Sequence, residues 1–189
     1  MRAALPLFSA ALALALASCA TTAKPPPEPE KAPLAREPGK PLEVAILAAR
    51  YTLPPRIDVD DHRDAPGNYL FSFVDRVTSC EGFFLFETVS QPAVHDQYVQ
   101  EKTAALHADW RSQNLAVTQR LESLKLLGQD AHVTVFDVQG TDGAARAGLV
   151  DRHFADQNLS VVNYTFCADP GLLPSQLEAV AEVVNSQKR

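Results

Sequence analysis

Hydrophobic and polar positions alternate in several separate stretches of this chain. Tyr69, Phe71 and Phe73 are spaced by smaller or polar neighbours, the period-two signature of a half-buried strand. Residues 82–89, with Phe83, Phe84, Leu85 and Phe86 in a row, read as a buried strand. Residues 44–53 predict a first strand that stops at Pro54-Pro55. Ser90 and Pro92 then signal a helix start, and Val99, Thr103, Leu106 and Trp110 keep helical spacing to about Gln113. Four more strands are expected over residues 117–127, 131–138, 145–154 and 159–166. Gly128-Gln129-Asp130 turns the chain between the first two, and Asp169-Pro170-Gly171 turns it after the last. Leu173, Leu177, Val180 and Val184 make one face of a C-terminal helix, with Ser175 and Glu178 as a capping box at its start. Strands outnumber helices and tight turns join them. The predicted class is therefore α+β: an antiparallel sheet of about six to seven strands, with a mid-chain helix and a C-terminal helix packed on it.

Ahead of these elements the pattern changes. Arg2 precedes a run of apolar and small residues from Ala3 to Ala17, broken only by Pro6 and Ser9. A bilayer-spanning helix needs about 20 residues, so this run fits the apolar region of a secretory signal instead. It ends in Leu16-Ala17-Ser18-Cys19, which resembles the lipobox of bacterial lipoproteins. The resemblance implies removal of residues 1–18 as a signal peptide, diacylation of the Cys19 sulfur with palmitate-type chains, and acylation of the new terminus. Each buried CH₂ is worth about 0.8 kcal/mol, so several chains anchor a protein without a transmembrane helix. Ala20 stands where an Asp in that family favours inner-membrane retention, so the resemblance points to the outer membrane, with the protein facing the periplasm.

Residues 19–41 form the acylated cysteine and a tether. Half of the chain's 14 prolines lie here, interleaved with Lys, Arg and Glu, and apolar residues are too few to build a core. Polyproline II at about 3.1 Å per residue gives such a stalk a reach on the order of 60 Å. Residues 42–189 are one domain's worth. The net charge of −6, from 17 basic and 23 acidic residues, supplies no basic face, so no nucleic-acid partner is expected.

Three cysteines are present, and lipidation consumes Cys19. Cys80 and Cys167 remain, each at the end of a predicted strand. In an oxidising compartment they are expected to bridge; the other reading is two buried thiols packed as small hydrophobes. There is no Cys-x-x-Cys for redox chemistry.

The remaining chemistry is sparse. No Gly-x-Ser-x-Gly or His-Glu-x-x-His occurs, and Leu149 stands where a phosphate loop needs Lys. Asp58, Asp60, Asp61, His62 and Asp64 fail the calcium-loop pattern, because Arg63 and Tyr69 occupy the Gly and Glu positions; a solvated loop is expected. His95 and His107 do not share a helix face. A two-residue turn at Asp142-Gly143 would place His132 opposite His153. Such a pair suits pH sensing or two metal contacts, although zinc takes three or four ligands. It reads first as structural.

The element order also resembles the Mog1/PsbP-like fold of several bacterial envelope lipoproteins. The likeness rests on that order, on the segment from Gly128 through Asp130, Ala131, Gly143, Arg146 and Arg152 to Phe166, and on the last helix. Members of that fold mostly serve as binding or assembly modules, which is what the resemblance implies here. The expectation is a lipid-anchored envelope protein, held to the membrane through Cys19. Its domain is read as a non-enzymatic module for an envelope protein partner or a small ligand. No catalytic residue, metal ligand or cofactor is called for. The alternatives are an envelope hydrolase assembled from distant Asp, His and Ser residues, recognised by a concave pocket, and a carrier of apolar ligands, recognised by an open cavity between sheet and helix.

Overall fold

The computed structural model describes residues 39–141 and 143–189. The lipobox, Cys19 and nearly all of the tether lie outside the described residues. The described chain runs β1 (Leu42–Ile46), β2 (Ala49–Leu53), β3 (Ile57–Ala65), β4 (Asn68–Asp75), β5 (Glu81–Thr88), α1 (Pro92–Ser112), β6 (Ala116–Leu126), β7 (Gln129–Gly140), β8 (Gly143–Phe154), β9 (Leu159–Cys167) and α2 (Leu173–Asn185). A short 3₁₀ turn, Pro170–Leu172, precedes α2; the Asp169 side chain accepts from the Gly171 N–H.

Seven strands form one antiparallel sheet in the order β3-β4-β5-β9-β8-β7-β6. The chain meanders through β3, β4 and β5, then α1 carries it to the far edge. From there β6 to β9 meander back until β9 closes against β5. The class is α+β, as the hydrophobic pattern predicts. No described helix is long and apolar enough to cross a membrane.

Each sheet face buries its own core. One is covered by α2 and by the separate β1–β2 hairpin. There Phe71, Phe73, Phe84 and Phe86 pack as an aromatic layer, with the Tyr51 ring of β2 4.8 Å from Phe86. Leu173, Leu177, Val180, Val183 and Val184 of α2 close it. The opposite face carries α1, with Trp110 packed edge-on against Phe136, 5.2 Å between ring centres.

Four local expectations are corrected. The stretch 44–53 is a hairpin, not one strand, because Leu47 takes a left-handed φ of 53° and reverses the chain. The aspartate-rich segment is strand β3, not a loop. It lies at the sheet edge, where Asp60, Asp61 and Asp64 are exposed, and it carries a bulge between Val59 and Asp61. Helix α2 starts after Leu172 with no side-chain cap, so Ser175 and Glu178 make no capping box; Pro174 and the preceding 3₁₀ turn set the helix start instead. The β7–β8 turn is also displaced: Gly140 faces Gly143, which has a φ of 137° that L side chains rarely adopt, and a Cβ on Gly140 would meet Leu115 at 2.8 Å. Both glycines are thus drawn into the strand ends.

The buried phenols set an alkaline limit on stability. Burial pushes Tyr51, Tyr69 and Tyr98 up to about 12, with Asp64 and Glu87 reinforcing the last two, and raises Tyr164 as well. An unfolded tyrosine ionises near about pH 10. The contribution is therefore complete below that pH and is lost as pH rises through the folded values. A tyrosinate absorbance titration is expected to stay flat through about pH 10.5 and then rise together with cooperative unfolding. A smooth non-cooperative titration centred on the ordinary value would contradict this packing.

Candidate functional site

Two places bring chemically active groups together: a polar cluster under α1, and the outer edge at β6. The first begins with His95. It lies on the helical stripe that also holds Val99, Leu106 and Trp110, so it is driven against the sheet with them. Beneath it, β8 and β9 present Asp151 and Ser160. His95 Nε2 lies 3.2 Å from Asp151 Oδ1, and Nδ1 lies 2.6 Å from Ser160 Oγ. A carboxylate only accepts, so Nε2–H donates to Asp151 and the Ser160 hydroxyl donates to Nδ1.

This is the hydroxyl, imidazole and carboxylate chain of nucleophilic catalysis. Here it is sealed beneath α1. Ser160 is 2% exposed and His95 3% exposed. Ser160 sits on β9, which is paired on both sides, so its backbone N–H is engaged in the ladder and is not aimed at a substrate oxygen. With α1 docked, the cluster's chemistry is to hold the start of the helix onto the sheet. A charge-assisted bond in a sealed site is worth about 1.5–3 kcal/mol.

The expected pairing of His132 with His153 does not form. His132 faces Asp151 and His153 faces Ser160, because the turn sits one residue earlier and shifts each partner by two. Parity is preserved, so both histidines stay on the α1 face. The His132 side chain is 75% exposed, with Nδ1 3.6 Å from Asp151 Oδ1. His153 Nε2–H donates to the Val89 carbonyl at 2.8 Å, and its ring centre lies 6.0 Å from that of His95. His107, further along α1, contacts Gln119 of β6 at 2.7 Å.

The other residues singled out in the sequence fall elsewhere. Cys80 and Cys167 are joined as a disulfide, with Cα atoms 4.5 Å apart at the paired ends of β5 and β9. Next to them Asp75 pairs with Arg56 at 3.2 Å and accepts from the Val77 and Thr78 amides, while Thr78 donates to Gln176 of α2. Asp58 forms a two-pronged pair with Arg76. Among the described residues, no group of three or more His, Cys, Asp or Glu is placed to hold a metal ion.

The second place is β6, the sheet's outer strand. Seven of its side chains from Thr118 to Lys125 are exposed, all but Leu124, and Leu121 is 77% exposed. On the α2 side of this edge, Arg120 pairs with Glu122 at 2.9 Å and with Asp137, which in turn holds Arg146 at 2.6 Å. The edge is thus flanked by a ladder of alternating charge.

No family model matches this chain, and no curated protein matches it.

Proposed function

We propose that this chain is a lipid-anchored protein of the bacterial cell envelope whose domain is a non-enzymatic assembly module, taking up a protein strand along β6. The observation that carries the reading is the form of that edge. It is an eleven-residue strand without a bulge, with no strand of the described residues paired along its outer side and a large aliphatic side chain standing in solvent at its middle. Open edges of this kind template strand addition, and proteins normally blunt them. The other support is the address: the lipobox-like Leu16-Ala17-Ser18-Cys19, a Pro-rich stalk that gives reach, and a Cys80–Cys167 bridge suited to an oxidising compartment.

The test is photo-crosslinking in intact envelopes, with a benzophenone amino acid in place of Leu121 in the full-length chain. A discrete adduct is expected from Leu121 and none from Val77, which is 71% exposed but lies outside the sheet edge. Equal or absent adducts from both positions would overturn the reading. In the same cells Cys19→Ala is expected to move the protein out of the membrane fraction.

The Ser160, His95 and Asp151 contact favours a second reading, an envelope hydrolase that works when α1 lifts. A fluorophosphonate probe distinguishes the two. Labelling that disappears in Ser160→Ala would support catalysis; the assembly reading predicts no labelling of the folded protein.

A further inference from the structure

The two edges of the seven-stranded sheet are built differently. At β3 the edge holds Asp58, Asp60, Asp61 and Asp64 and is broken by a bulge. Both features oppose pairing with another strand. At β6 the charges are fewer and of both signs, Arg120, Glu122 and Lys125, and there is no bulge: the register with β7 is continuous from Ala116↔Gln139 to Leu126↔Gln129. The β3 edge is strongly guarded, and the β6 edge is continuous and carries no further strand among the described residues.

The hairpin geometry fixes which β6 groups face outward. Leu127 and Gly128, with φ of 48° and 79°, form the two-residue turn, so the flanking pair Leu126 and Gln129 exchange both hydrogen bonds. Bonding to β7 then falls on the even-numbered residues, and the odd-numbered ones direct N–H and C=O away from the sheet. An independent contact agrees: the Lys125 carbonyl is met from outside by Asn185 Nδ2 at 3.3 Å. That contact closes the edge toward the hairpin end. It leaves Gln119, Leu121 and Ser123 as the outward-facing donors and acceptors at the centre.

An antiparallel partner must bring outward residues against outward residues. For a second copy of β6 this allows only two-fold registers centred on a residue. Centring on Arg120 sets Arg120 against Arg120, and centring on Glu122 sets Glu122 against Glu122. Like charges directly opposite are destabilising. Centring on Leu121 does the reverse. Leu121 meets Leu121, Gln119 meets Ser123 in hydrogen-bonded pairs, and Arg120 of each chain faces Glu122 of the other. Those last pairs occupy the non-hydrogen-bonded positions, where side chains come closest. The same register covers the exposed leucines with each other.

Resting on the assembly reading above, we propose that the strand taken up by β6 is β6 of a second copy of this chain, in an antiparallel two-fold pair centred on Leu121. The two sheets then join into one continuous sheet with α1 of both copies on one face. The interface is isologous, so it closes at a dimer and leaves the guarded β3 edges outermost.

The test uses the full-length acylated chain in detergent, with its mass measured by sedimentation equilibrium. The wild type is expected to be a dimer. Arg120→Glu and Glu122→Arg, each alone, set like charges opposite one another and are expected to weaken self-association at least about tenfold. Mixed in equal amounts, the two variant chains present opposite charges at both contacts, and a one-to-one heterodimer is expected. Circular dichroism of each single variant separates loss of pairing from loss of fold, and recovery in the mixture cannot come from misfolded chains. A monomeric wild type at every concentration, or no recovery on mixing, would overturn the pairing. If Leu121 then crosslinks to a different protein in envelopes, the assembly reading stands and self-pairing fails. If it crosslinks to nothing, both fail.

Discussion

Replacing Cys80 and Cys167 together by alanine is expected to lower the free energy of unfolding by about 4–5 kcal/mol, the value for closing a loop of this length in the unfolded chain. The two residues are 87 apart in sequence, and the loop between them contains β5, α1 and β6 to β9. In the folded state they sit on neighbouring strands whose ends are already paired through Glu81 and Phe166. The bridge therefore acts mainly by restricting the unfolded ensemble, and the folded topology is expected to survive its loss. The adjacent contacts support this, because Asp75, Arg56, Thr78 and Gln176 fasten the turn that precedes Cys80 to α2 without the sulfurs. Denaturant unfolding of wild type, reduced wild type and the double variant checks it. Reduced wild type and the double variant should share one midpoint, well below that of the oxidised protein. A difference under about 1 kcal/mol would contradict the loop-closure account.

The second large effect is expected at Trp110, the chain's one tryptophan. Trp110→Ala should cost about 3–5 kcal/mol, the range for truncating a fully buried aromatic. The reason lies in how little else holds α1. Its buried residues are His95 near one end and Trp110 near the other, with Val99 and Leu106 only partly covered between them. Trp110 rests edge-on against Phe136, and His107 packs against the same ring. Removing the indole leaves the His95 contacts with Asp151 and Ser160 as the chief tie. The expected result is a lowered unfolding midpoint together with selective loss of hydrogen-exchange protection in α1. The seven-stranded sheet should keep its protection, because its α2 face is separately packed. Uniform loss of protection would show that α1 is an integral part of one cooperative core.

Much of the sheet is legible in the sequence because its strands are half-buried and alternate cleanly. Tyr69, Phe71 and Phe73 all reach the core face of β4, and Phe84 and Phe86 the core face of β5. The helical stripe ending in Trp110 and the face of α2 are legible for the same reason, at the other period. What fails does so for local physical causes. Leu47 reverses the chain without Gly or Asn to mark it, so β1 and β2 read as one strand. In β3, water on the edge hides the alternation, and four aspartates look like a loop. The β7–β8 turn lies one residue from its expected place, which removes the facing histidines while leaving every side chain on its expected face.

The two candidate places are harder to see from the residues alone. His95 is 56 positions from Asp151 and 65 from Ser160, and the four strands β6 to β9 must take their places before those groups meet. Its signal was present in the stripe: a histidine at helical spacing from Trp110 must have a polar partner once buried. Whether β6 is open depends on strand order, which the chain decides by sending α1 across to the far edge. Alternating Arg120, Leu121 and Glu122 reads the same in a central strand as in an open one.

The account rests most on the proposal that β6 is a joined edge in the assembled protein. Amide hydrogen exchange of the full-length chain tests that directly. The N–H groups of Gln119, Leu121 and Ser123 point away from β7, so nothing within one described chain protects them. The account predicts that they exchange as slowly as amides of the paired central strands, and that Arg120→Glu makes them fast. Exchange of these three at the rate of an exposed loop, in the wild-type chain, would contradict it.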